Sequence, residues 1–312
     1  YFDKIDNLRD SKIFIICVPT PVKKNNTPDF ESIIEVSKKL SRIIKHKDII
    51  IFESTFYPYT TKEIIIPIFE KYSSLKCATK ITDLNDKNKK YFSLGYSPER
   101  INPGDKKHTI NKIIKIVSAS NNVALNQIYN IYNKIISAGV YKVSSIEVAE
   151  GSKVIENIQR DINIALTNEL KIIFDKLKIN FNDVLNAAST KWNYTKFKPG
   201  MVGGHCISVD PYYLAFKAKT LGYNPKILLA GREINNNMFR YYANYVLRLI
   251  KKKYNKDKKI KILIMGFSYK PDVSDFRNTQ VIKFYNFIKK TYKNVSIFDP
   301  LVDKKEVKKT YK

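Results

Sequence analysis

The sequence predicts an α/β fold in which two parallel-sheet domains are joined by a central helical region with a long helix. Two observations lead to this class. Short apolar runs typical of buried strands alternate with helical patterns over the first half of the chain, and again near its end. Between these stretches, apolar residues recur almost only at helical spacing. We therefore expect three domains, over residues 1–143, 144–254 and 255–312.

The first domain shows the alternation of strand and helix most clearly. Its strand patterns are short apolar runs, at residues 11–18, 48–54, 91–96, 113–118 and 140–143. Its helical patterns cover residues 29–45, 60–72 and 122–137, and Pro67 predicts a kink or break in the second of these. Strands that alternate with helices in this way favour parallel pairing.

The middle of the chain is predicted to be mainly helical. Its helical patterns cover residues 146–177, 182–189, 211–221 and 228–250, and Gly222 is expected to end the third. The last domain then has a strand pattern at 260–265, a helix over 276–292 capped by Asp275, and a strand at 295–298. This order predicts the opening of a Rossmann-like unit, although no GxGxxG fingerprint occurs in the chain.

Composition narrows the class of protein. The chain has 312 residues, 44% of them hydrophobic, which is enough for a large core, and no apolar run is long enough to cross a membrane. Three scattered cysteines indicate a reducing compartment, so we expect a cytoplasmic protein that does not act at a membrane. The chain starts at Tyr1, has its first methionine at Met201 and stops after a strand pattern without a closing element, so we interpret both ends as truncated.

The net charge of +27 needs its own explanation. Of the 56 basic residues that are Lys or Arg, only eight are Arg, and the lysines are spread along the whole chain. The densest run, at 251–261, is expected to be a solvated linker. Because nucleic-acid sites favour the bidentate arginine side chain, we interpret the charge as compositional bias and expect no nucleic-acid partner.

Cys206 lies in a glycine-rich segment, and Asp210-Pro211 shortly after it predicts a helix start with Asp as the cap. A thiol ahead of a helix N-terminus is favoured as thiolate, the form that attacks carbonyl carbons. The alternative is a small buried apolar residue. Cys17, in a strand pattern, is expected to be such a core residue, and Cys77 lies in a polar stretch without a motif around it.

Three further clusters carry polar residues in places that suit a ligand. The segment 53–55 (EST) follows the second strand pattern, and Glu99 with Arg100 follows the third, where ligands of open α/β sheets bind. Lys153 and Asn157 are four residues apart and therefore share one face of the long helix. Taken singly, each of these residues is more often a solvated side chain than a catalytic one, and that alternative stays open.

Taken together and in this order, the motifs resemble those of the nucleotide-sugar 6-dehydrogenases, the UDP-glucose/GDP-mannose dehydrogenase family, and most closely its branch acting on UDP-N-acetylhexosamines. The resemblance covers essentially the whole chain. The matching stretches are VPTP at 18–21, EST at 53–55, SPER at 97–100, AE at 149–150, KVIENIQRDIN at 153–163, TKWN at 190–193, VGGHCISVDPYYL at 202–214, AGREIN at 230–235, GFSYK at 266–270 and RNT at 277–279.

The resemblance implies an NAD-dependent enzyme that oxidises the C6 hydroxymethyl group of a UDP-N-acetylhexosamine, in the first place UDP-N-acetylglucosamine, to a uronate for surface polysaccharides. Cys206 would form a thiohemiacetal and then a thioester with the sugar. The other residues with an implied catalytic role are Lys153, Asn157, Asp210, Glu99 and Thr55.

The resemblance also implies binding residues, a homodimer formed by the long helix, and no metal site. The implied cofactor contacts are Thr20, Thr55 and Arg277. The implied contacts of the UDP-sugar are Glu99, Arg100, Lys153, Asn157, Lys198, Gly203, Arg232 and Lys270. Alternatives remain for three of these features: Lys270 would be a solvated residue at a strand end, Arg277 would pair with Asp272 or Asp275, and the long helix would be an internal connector.

The chain departs from the family in two respects. Tyr59 stands where the family usually has glycine, and a tyrosine fits only if that turn does not need a positive φ. The family's GxGxxG would lie before Tyr1, so this chain alone is expected to bind NAD poorly. The open alternatives are UDP-N-acetylmannosamine or UDP-glucose as substrate, and a non-catalytic paralogue or basic binding protein. Retention of Cys206, Lys153, Asn157 and Asp210 argues against a non-catalytic paralogue.

Overall fold

The computed structural model describes residues 4–102, 104–255 and 259–311. The chain divides into two compact units. Unit 1 comprises Tyr1–Glu156 and Tyr212–Tyr223, and unit 2 comprises Asn157–Pro211 and Asn224–Lys312. Two helices, α5 (Ile146–Lys176) and α7 (Asp210–Thr220), contribute residues to both units.

A six-stranded sheet forms the centre of unit 1 within the described residues. Its strands are β1 (Ile13–Ile16), β2 (Ile49–Phe52), β3 (Lys76–Cys77), β4 (Tyr91–Tyr96), β5 (Lys115–Ala119) and β6 (Val140–Lys142). The strand order is β1-β2-β4-β5-β6, and β3 pairs with β4. The apolar runs that predicted the strands are buried on both faces in β2 and β4, as expected for a parallel sheet covered by helices.

One strand pair in this sheet differs from the predicted parallel arrangement. β5 runs antiparallel to β4, with Gly95 opposite Ala119, whereas β1, β2, β3 and β4 pair in parallel and β6 is parallel to β5. The described part of the β4–β5 connection contains a short 3₁₀ turn, Ile110–Lys112, and no α-helix. Because parallel neighbours need a crossover connection, usually a helix, the chain here returns in the opposite direction.

Helices cover the sheet of unit 1. They are α1 (Glu31–Ser41), α2 (Ile66–Ser73), α3 (Ile81–Asn85) and α4 (Asn122–Asn133). Pro67 lies in the first turn of α2, directly after a π-helical turn, Thr61–Ile65, so the irregularity expected at this proline precedes it. The Asn121 side chain caps α4, and Ile128 of α4 packs on Ile51 and Val117 of the sheet.

Unit 2 is mainly helical and carries a short parallel sheet. Its further elements are α6 (Phe181–Ala188), α8 (Lys226–Tyr254), β7 (Ile262–Met265), α9 (Val281–Lys289), β8 (Val295–Phe298) and α10 (Lys304–Thr310). β7 and β8 pair in parallel, with α9 as the crossover between them. Ile288 of α9 and Val295 of β8 belong to one core with Ala243 of α8. The strand–helix–strand order predicted for this region is therefore present.

Four local expectations were wrong. α8 extends to Tyr254, so the start of the expected linker is helical, and its residues 256–258 lie outside the described residues. α9 begins at Val281 rather than near 276, because the Asp275 carboxylate binds Arg277 instead of capping a helix. α10 follows the last strand, capped by Asp303. Cys17, expected in the core, is exposed.

The position of Cys17 follows from the edge location of β1. In β1, Phe14 and Ile16 are buried, whereas Ile13 is 38% and Ile15 is 48% exposed. Cys17 continues the exposed row immediately after the strand. A continuous apolar run does not reveal that only one face of its strand is covered. In the described part of the chain, no helix is long and apolar enough to cross a membrane.

Candidate active site

The loops after β1 and β2 hold the predicted cofactor contacts of unit 1. Because the two strands are parallel, their carboxyl ends lie at the same edge of the sheet. The Ser54 hydroxyl donates to the Val18 carbonyl at 2.5 Å, and the Thr20 hydroxyl donates to the Thr55 carbonyl at 3.0 Å. These bonds tie the two loops together and place Thr20 beside Thr55.

A largely buried ion pair lies at the same edge, and sequence reasoning missed it. Glu53 Oε1, just after β2, is 3.2 Å from Lys115 Nζ and accepts a hydrogen bond from the Tyr132 hydroxyl. Burial, and then the Glu53 carboxylate, raise the pKa of Tyr132, so its phenol stays protonated and donates. Lys115 is 6% exposed inside an apolar strand pattern, where a single lysine gives no signal of its partner.

Glu99 and Arg100 follow β4 and are both half-buried. The Glu99 carboxylate accepts a hydrogen bond from the Ile101 backbone N–H. Arg100 donates to the Ile114 carbonyl at 2.9 Å and forms an ion pair with Glu156 at 2.7 Å. In this structure the Arg100 guanidinium therefore binds groups of unit 1 itself.

Glu150 of α5 holds the turn that follows Thr55. Its carboxylate accepts hydrogen bonds from the Tyr59 N–H at 2.7 Å, the Thr61 N–H at 2.8 Å and the Thr61 hydroxyl at 2.7 Å. Burial raises the pKa of Glu150 to about 7, although these hydrogen bonds act in the opposite direction. Lys153, one turn further along α5, is 8% exposed.

Tyr59 adopts the conformation that the sequence argument held unsuitable for it. Its φ is 77°, so the turn does take a left-handed backbone at the position where glycine was expected. The hydrogen bond from its N–H to Glu150 holds this turn. The ring is 44% exposed, and Lys217 Nζ lies 5.4 Å from the ring centroid. These two contacts offset part of the strain.

Cys206 lies in the turn that leads into α7 in unit 2. Its carbonyl accepts hydrogen bonds from the N–H groups of Val209 at 3.0 Å and Asp210 at 2.8 Å, so the chain winds directly into the helix. Upstream, the Ser208 hydroxyl donates to the Gly204 carbonyl, and Gly204 has φ 86°. The thiol residue is half-buried and precedes the first turn of α7, as the sequence predicted.

Two predicted catalytic residues meet in unit 2. Asn157 Nδ2 donates to Asp210 Oδ2 at 2.5 Å, and the two residues are 1% and 2% exposed. The side-chain oxygen Oδ1 of Asn157 accepts a hydrogen bond from Arg160, so both polar atoms of the side-chain amide are hydrogen-bonded. Burial together with the bond from Asn157 fixes the direction of the Asp210 carboxylate. Because Asp210 follows Cys206 by one helical turn, this bond also anchors the turn that carries the thiol.

Arg232 is placed differently from an open substrate contact. It is 2% exposed, and its guanidinium donates to Asp161 Oδ1 and to Asn236 Oδ1, both at 2.6 Å. Asn235 donates to the same Asp161 oxygen at 2.7 Å. Burial raises the pKa of Asp161, with Arg232 acting against this effect. The guanidinium thus serves a buried link between α5 and α8.

The remaining predicted substrate contacts lie on two segments of unit 2. Lys198 is exposed, and the nearby Gly200 is anchored through both its N–H and its carbonyl by the Asn168 side chain. Lys270 follows β7, with its Nζ 5.9 Å from the Tyr269 ring centroid. Gly203 packs so tightly that an added Cβ would lie 3.0 Å from the Asn278 carbonyl oxygen.

Arg277, a predicted cofactor contact, forms an ion pair with Asp275 at 2.6 Å, one of the two pairings left open by the sequence. The predicted site residues are thus brought together in two sets: Thr20 with Thr55 in unit 1, and Asn157 with Asp210 in unit 2. Among the described residues, no group of three His, Cys, Asp or Glu side chains is suited to a metal ion.

The fold and the residues at the strand ends define the class of the protein. A largely parallel α/β sheet with hydroxyl-bearing loops at its carboxyl edge is the arrangement of a nucleotide-binding protein, and a thiol ahead of a helix N-terminus suits covalent chemistry at a carbonyl carbon. The chain belongs to the UDP-glucose/GDP-mannose dehydrogenase family. Its NAD binding domain matches residues 2–136, its central domain residues 147–237 and its UDP binding domain residues 263–312.

Individual relatives are similar along the whole chain. Protein CapL of Staphylococcus aureus is 45% identical over 100% of this chain and 71% of its own length. UDP-N-acetyl-D-glucosamine 6-dehydrogenase of Salmonella typhi is 44% identical with the same coverage, 100% and 71%. Among solved structures, the UDP-D-ManNAc dehydrogenase of Pyrococcus horikoshii superimposes with a TM-score of 0.85 at 28% identity, over 97% of this chain and 68% of that one.

The cofactor of this family is NAD, and the residues at the edge of unit 1 fit part of it. Parallel β1 and β2 end together, and their loops offer the hydroxyl groups of Thr20 and Thr55 at the place where open α/β sheets bind nucleotides. A glycine-rich GxGxxG loop, which holds a pyrophosphate, is absent from this chain.

Proposed function

We propose that this protein oxidises the C6 hydroxymethyl group of a UDP-N-acetylhexosamine to a carboxylate, with Cys206 as the nucleophile. The observation that carries the proposal is the arrangement in unit 2. A half-buried thiol precedes the N-terminus of α7, and the first residue of that helix, Asp210, is bonded to Asn157 in a nearly water-free place. A two-electron alcohol oxidation has no use for a nucleophilic thiol, whereas a four-electron oxidation can proceed through a covalent thiohemiacetal and thioester on one.

The proposed sugar is N-acetylglucosamine. The support is the 44% identity to the UDP-N-acetyl-D-glucosamine 6-dehydrogenase of Salmonella typhi, which exceeds the 31% identity to the UDP-N-acetyl-D-mannosamine dehydrogenase of Campylobacter jejuni. UDP-N-acetylmannosamine is the second candidate, because the backbone superimposes well on an enzyme for that sugar. The two sugars differ only in configuration at C2, so both belong in the assay.

When bound beside Thr20 and Thr55, NAD+ would supply the hydride acceptor that the two oxidation steps require. The chain has to hold the C6 alcohol and accept its proton, and we assign the proton to Asp210 or a water that Asp210 orients. The Cys206 thiolate then adds to the resulting aldehyde carbon and forms a thiohemiacetal. Lys153 stabilises the alkoxide that develops on oxygen, and Asn157 adds a hydrogen bond.

Loss of the second hydride converts the thiohemiacetal into a thioester, which water must hydrolyse. Glu99 is assigned as the base that takes the proton of that water, and Thr55 positions the water. The Cys206 thiolate leaves from the acyl carbon and the sugar departs as a carboxylate, so the residue returns to its starting state. We place Arg100, Lys198, Gly203 and Lys270 at the sugar nucleotide, and Thr20 and Arg277 at the cofactor, whereas Arg232 is assigned to the buried link with Asp161.

The first test counts NADH per sugar in the protein restored to the full length of its relatives. About two NADH per sugar consumed are expected for UDP-N-acetylglucosamine, since the carboxylate lies four electrons above the alcohol. Cys206→Ser should remove carboxylate formation, and Cys77→Ala, a buried thiol of β3, is the matched control that should keep it. Two NADH per sugar from the Cys206→Ser enzyme would refute the covalent mechanism.

We also propose a homodimer formed along α5. Ile155, Leu166 and Ile173 lie on one face of this helix and are 55%, 53% and 45% exposed. Exposed apolar residues that share one face of a long helix favour a contact surface. Sedimentation analysis should give twice the chain mass.

The proposed location is the cytoplasm, since all three cysteines are free thiols. We propose that the uronate product serves surface polysaccharide synthesis.

A further inference from the structure

His205, directly before Cys206 in the chain, binds two charged residues that lie far away in sequence. Its ring nitrogen Nδ1 is 3.2 Å from Asp275 Oδ2 and 3.2 Å from the Arg277 guanidinium. Asp275 and Arg277 are themselves 2.6 Å apart. The ring is held through Nδ1 in either neutral tautomer: a protonated Nδ1 donates to Asp275, and an unprotonated Nδ1 accepts from Arg277.

Asp275 is the ionic centre of this cluster. Burial acts to raise the pKa of Asp275, but the hydrogen bonds and charge of Arg277 outweigh burial, so the pKa lies below its usual value and the carboxyl is ionised at neutral pH. An ionised carboxylate accepts stronger hydrogen bonds than a neutral one. The contact from His205 is thus charge-assisted, although it is partly open to solvent.

The backbone beside His205 binds the same segment. The Gly204 N–H donates to the Arg277 carbonyl at 3.2 Å, and Asn278 Nδ2 donates to the Gly204 carbonyl at 3.1 Å. Gly204 has φ 86°, and a Cβ added to it would lie 2.9 Å from two carbons of the Tyr269 ring. The side chain of His205 and the backbone of Gly204 therefore both contact the segment 269–278.

We propose that His205, together with Asp275 and Arg277, is a positioning device for Cys206, which we call the His205 latch. The latch fixes the loop of the thiol against residues 269–278 of unit 2, so that Cys206 keeps its place ahead of α7. His205 acts through Asp275 and Arg277, without itself touching the reacting atoms. The proposal rests on the proposed function only in taking Cys206 as the nucleophile.

If the latch positions Cys206, the reactivity of the Cys206 thiol depends on Nδ1 of His205. An asparagine side chain places its amide near Nδ1 of the histidine it replaces, whereas a glutamine amide lies near Nε2. His205→Asn should therefore retain the contacts to Asp275 and Arg277, and His205→Gln and His205→Ala should lose them. Losing the place ahead of the helix N-terminus lowers the thiolate fraction, and we expect the alkylation rate at neutral pH to fall about two- to fivefold.

The test measures the rate at which iodoacetamide alkylates Cys206, by mass spectrometry of the peptide that contains it, from pH 6 to pH 9. The exposed Cys17 in the same samples is the reference thiol. The matched control is His108→Ala, which removes another histidine whose Nδ1 lies 2.9 Å from an aspartate, Asp105, in unit 1. Alkylation needs neither NAD nor sugar, so a failure of the proposed reaction leaves this readout intact.

The latch is supported if His205→Ala and His205→Gln slow Cys206 alkylation and displace its pH profile upward, while His205→Asn and His108→Ala keep the wild-type profile. Asp275→Asn should reproduce the effect of His205→Ala, and the double variant should show no further loss. Unchanged profiles in His205→Ala and His205→Gln would overturn the proposal. So would a His205→Asn variant as slow as His205→Ala, since Nδ1 would then not be the nitrogen that matters.

Discussion

The buried carboxyl of Glu150 makes the stability of unit 1 depend on pH in a direction opposite to that of most carboxylates. Its pKa rises from an ordinary 4.5 to about 7, mainly through burial. At about 1.36 kcal/mol for each pH unit, this rise corresponds to roughly 3 kcal/mol between the two protonation states. A raised pKa in the folded state gives a stability contribution that is fully present below pH 4.5 and is lost as the pH rises through about 7.

Glu150→Gln removes this titration, since the amide does not ionise and has nearly the shape of the protonated acid. The free energy of unfolding of the wild type minus that of Glu150→Gln should therefore fall by about 3 kcal/mol between pH 4.5 and pH 8. Urea unfolding followed by far-UV circular dichroism at several pH values measures the difference. Tryptophan fluorescence is unsuitable, because the single tryptophan, Trp192, belongs to unit 2.

The matched control is Glu147→Gln, which removes a half-exposed carboxylate from the preceding turn of α5. The Glu147 charge is a minor cause of the raised pKa of Glu150, so this variant should lower that pKa slightly and leave most of the pH dependence in place. If wild type and Glu150→Gln gave parallel curves over this pH range, the carboxyl would titrate normally and the argument from burial would fail. The turn involved, Tyr59–Thr61, follows Thr55, so the same protonation also bears on a proposed catalytic residue.

Two further substitutions test buried or strained positions. Tyr59→Gly should raise the free energy of unfolding by up to about 1 kcal/mol in denaturant titration. A left-handed backbone costs a tyrosine about 1–2 kcal/mol, and the greater conformational entropy of glycine in the unfolded chain cancels part of the gain from removing that strain. If Tyr59→Gly instead lowered the free energy of unfolding strongly, the contacts of the Tyr59 ring would outweigh the strain. Arg232→Met should lower the free energy of unfolding by about 3–5 kcal/mol, because it leaves Asp161 buried without its cation. The double variant Arg232→Met with Asp161→Leu should recover part of that loss. If the single and the double variant lost the same free energy of unfolding, the pairing of Arg232 with Asp161 would be refuted.

Sequence patterns located most elements well and failed where a tertiary contact decides the outcome. The strands β4 and β8 begin and end where the apolar runs do, because a run of buried residues leaves little freedom in placing a strand. The start of α9 was misplaced because Asp275, a good capping residue by composition, is occupied by Arg277 and His205. Such competition between partners distant in sequence leaves no periodic signal.

In the candidate site too, the sequence predicted local features well and contacts between distant residues poorly. The position of Cys206 before a helix followed from local spacing, since glycine, aspartate and proline each have a fixed preference near a helix start. The bond between Asn157 and Asp210 joins residues far apart in the chain, and the sequence analysis did not predict it. The carboxylate partners of Lys115, Arg100 and Arg232 could not be predicted from spacing at all. The division into three domains and the roles of the site residues stay predictions.

The long helix α5 departs from an ordinary amphipathic helix. Polar residues along one face are 0–8% exposed, whereas apolar residues on the opposite face are 45–55% exposed. The buried polar residues of that face are Glu150, Lys153, Asn157, Asp161 and Asn168, and the exposed apolar residues are Val148, Ile155, Leu166 and Ile173. Because Val154, Ile158 and Ala165 are also buried, hydrophobic periodicity finds the helix but does not identify its exposed face.

The burial of the polar face of α5 and the exposure of its apolar face each need a physical explanation. A buried polar residue is tolerated only when it is hydrogen-bonded, and the donors to Glu150, the bond from Asn157 to Asp210 and the ion pair of Asp161 meet that condition. The apolar face has no such compensation in a single chain, which is the physical argument for a second copy covering it. The two faces should therefore respond separately. Leu166→Glu should turn the proposed dimer into monomers in sedimentation while Cys206 alkylation persists, and Asn157→Ala should change that alkylation without changing the sedimenting mass.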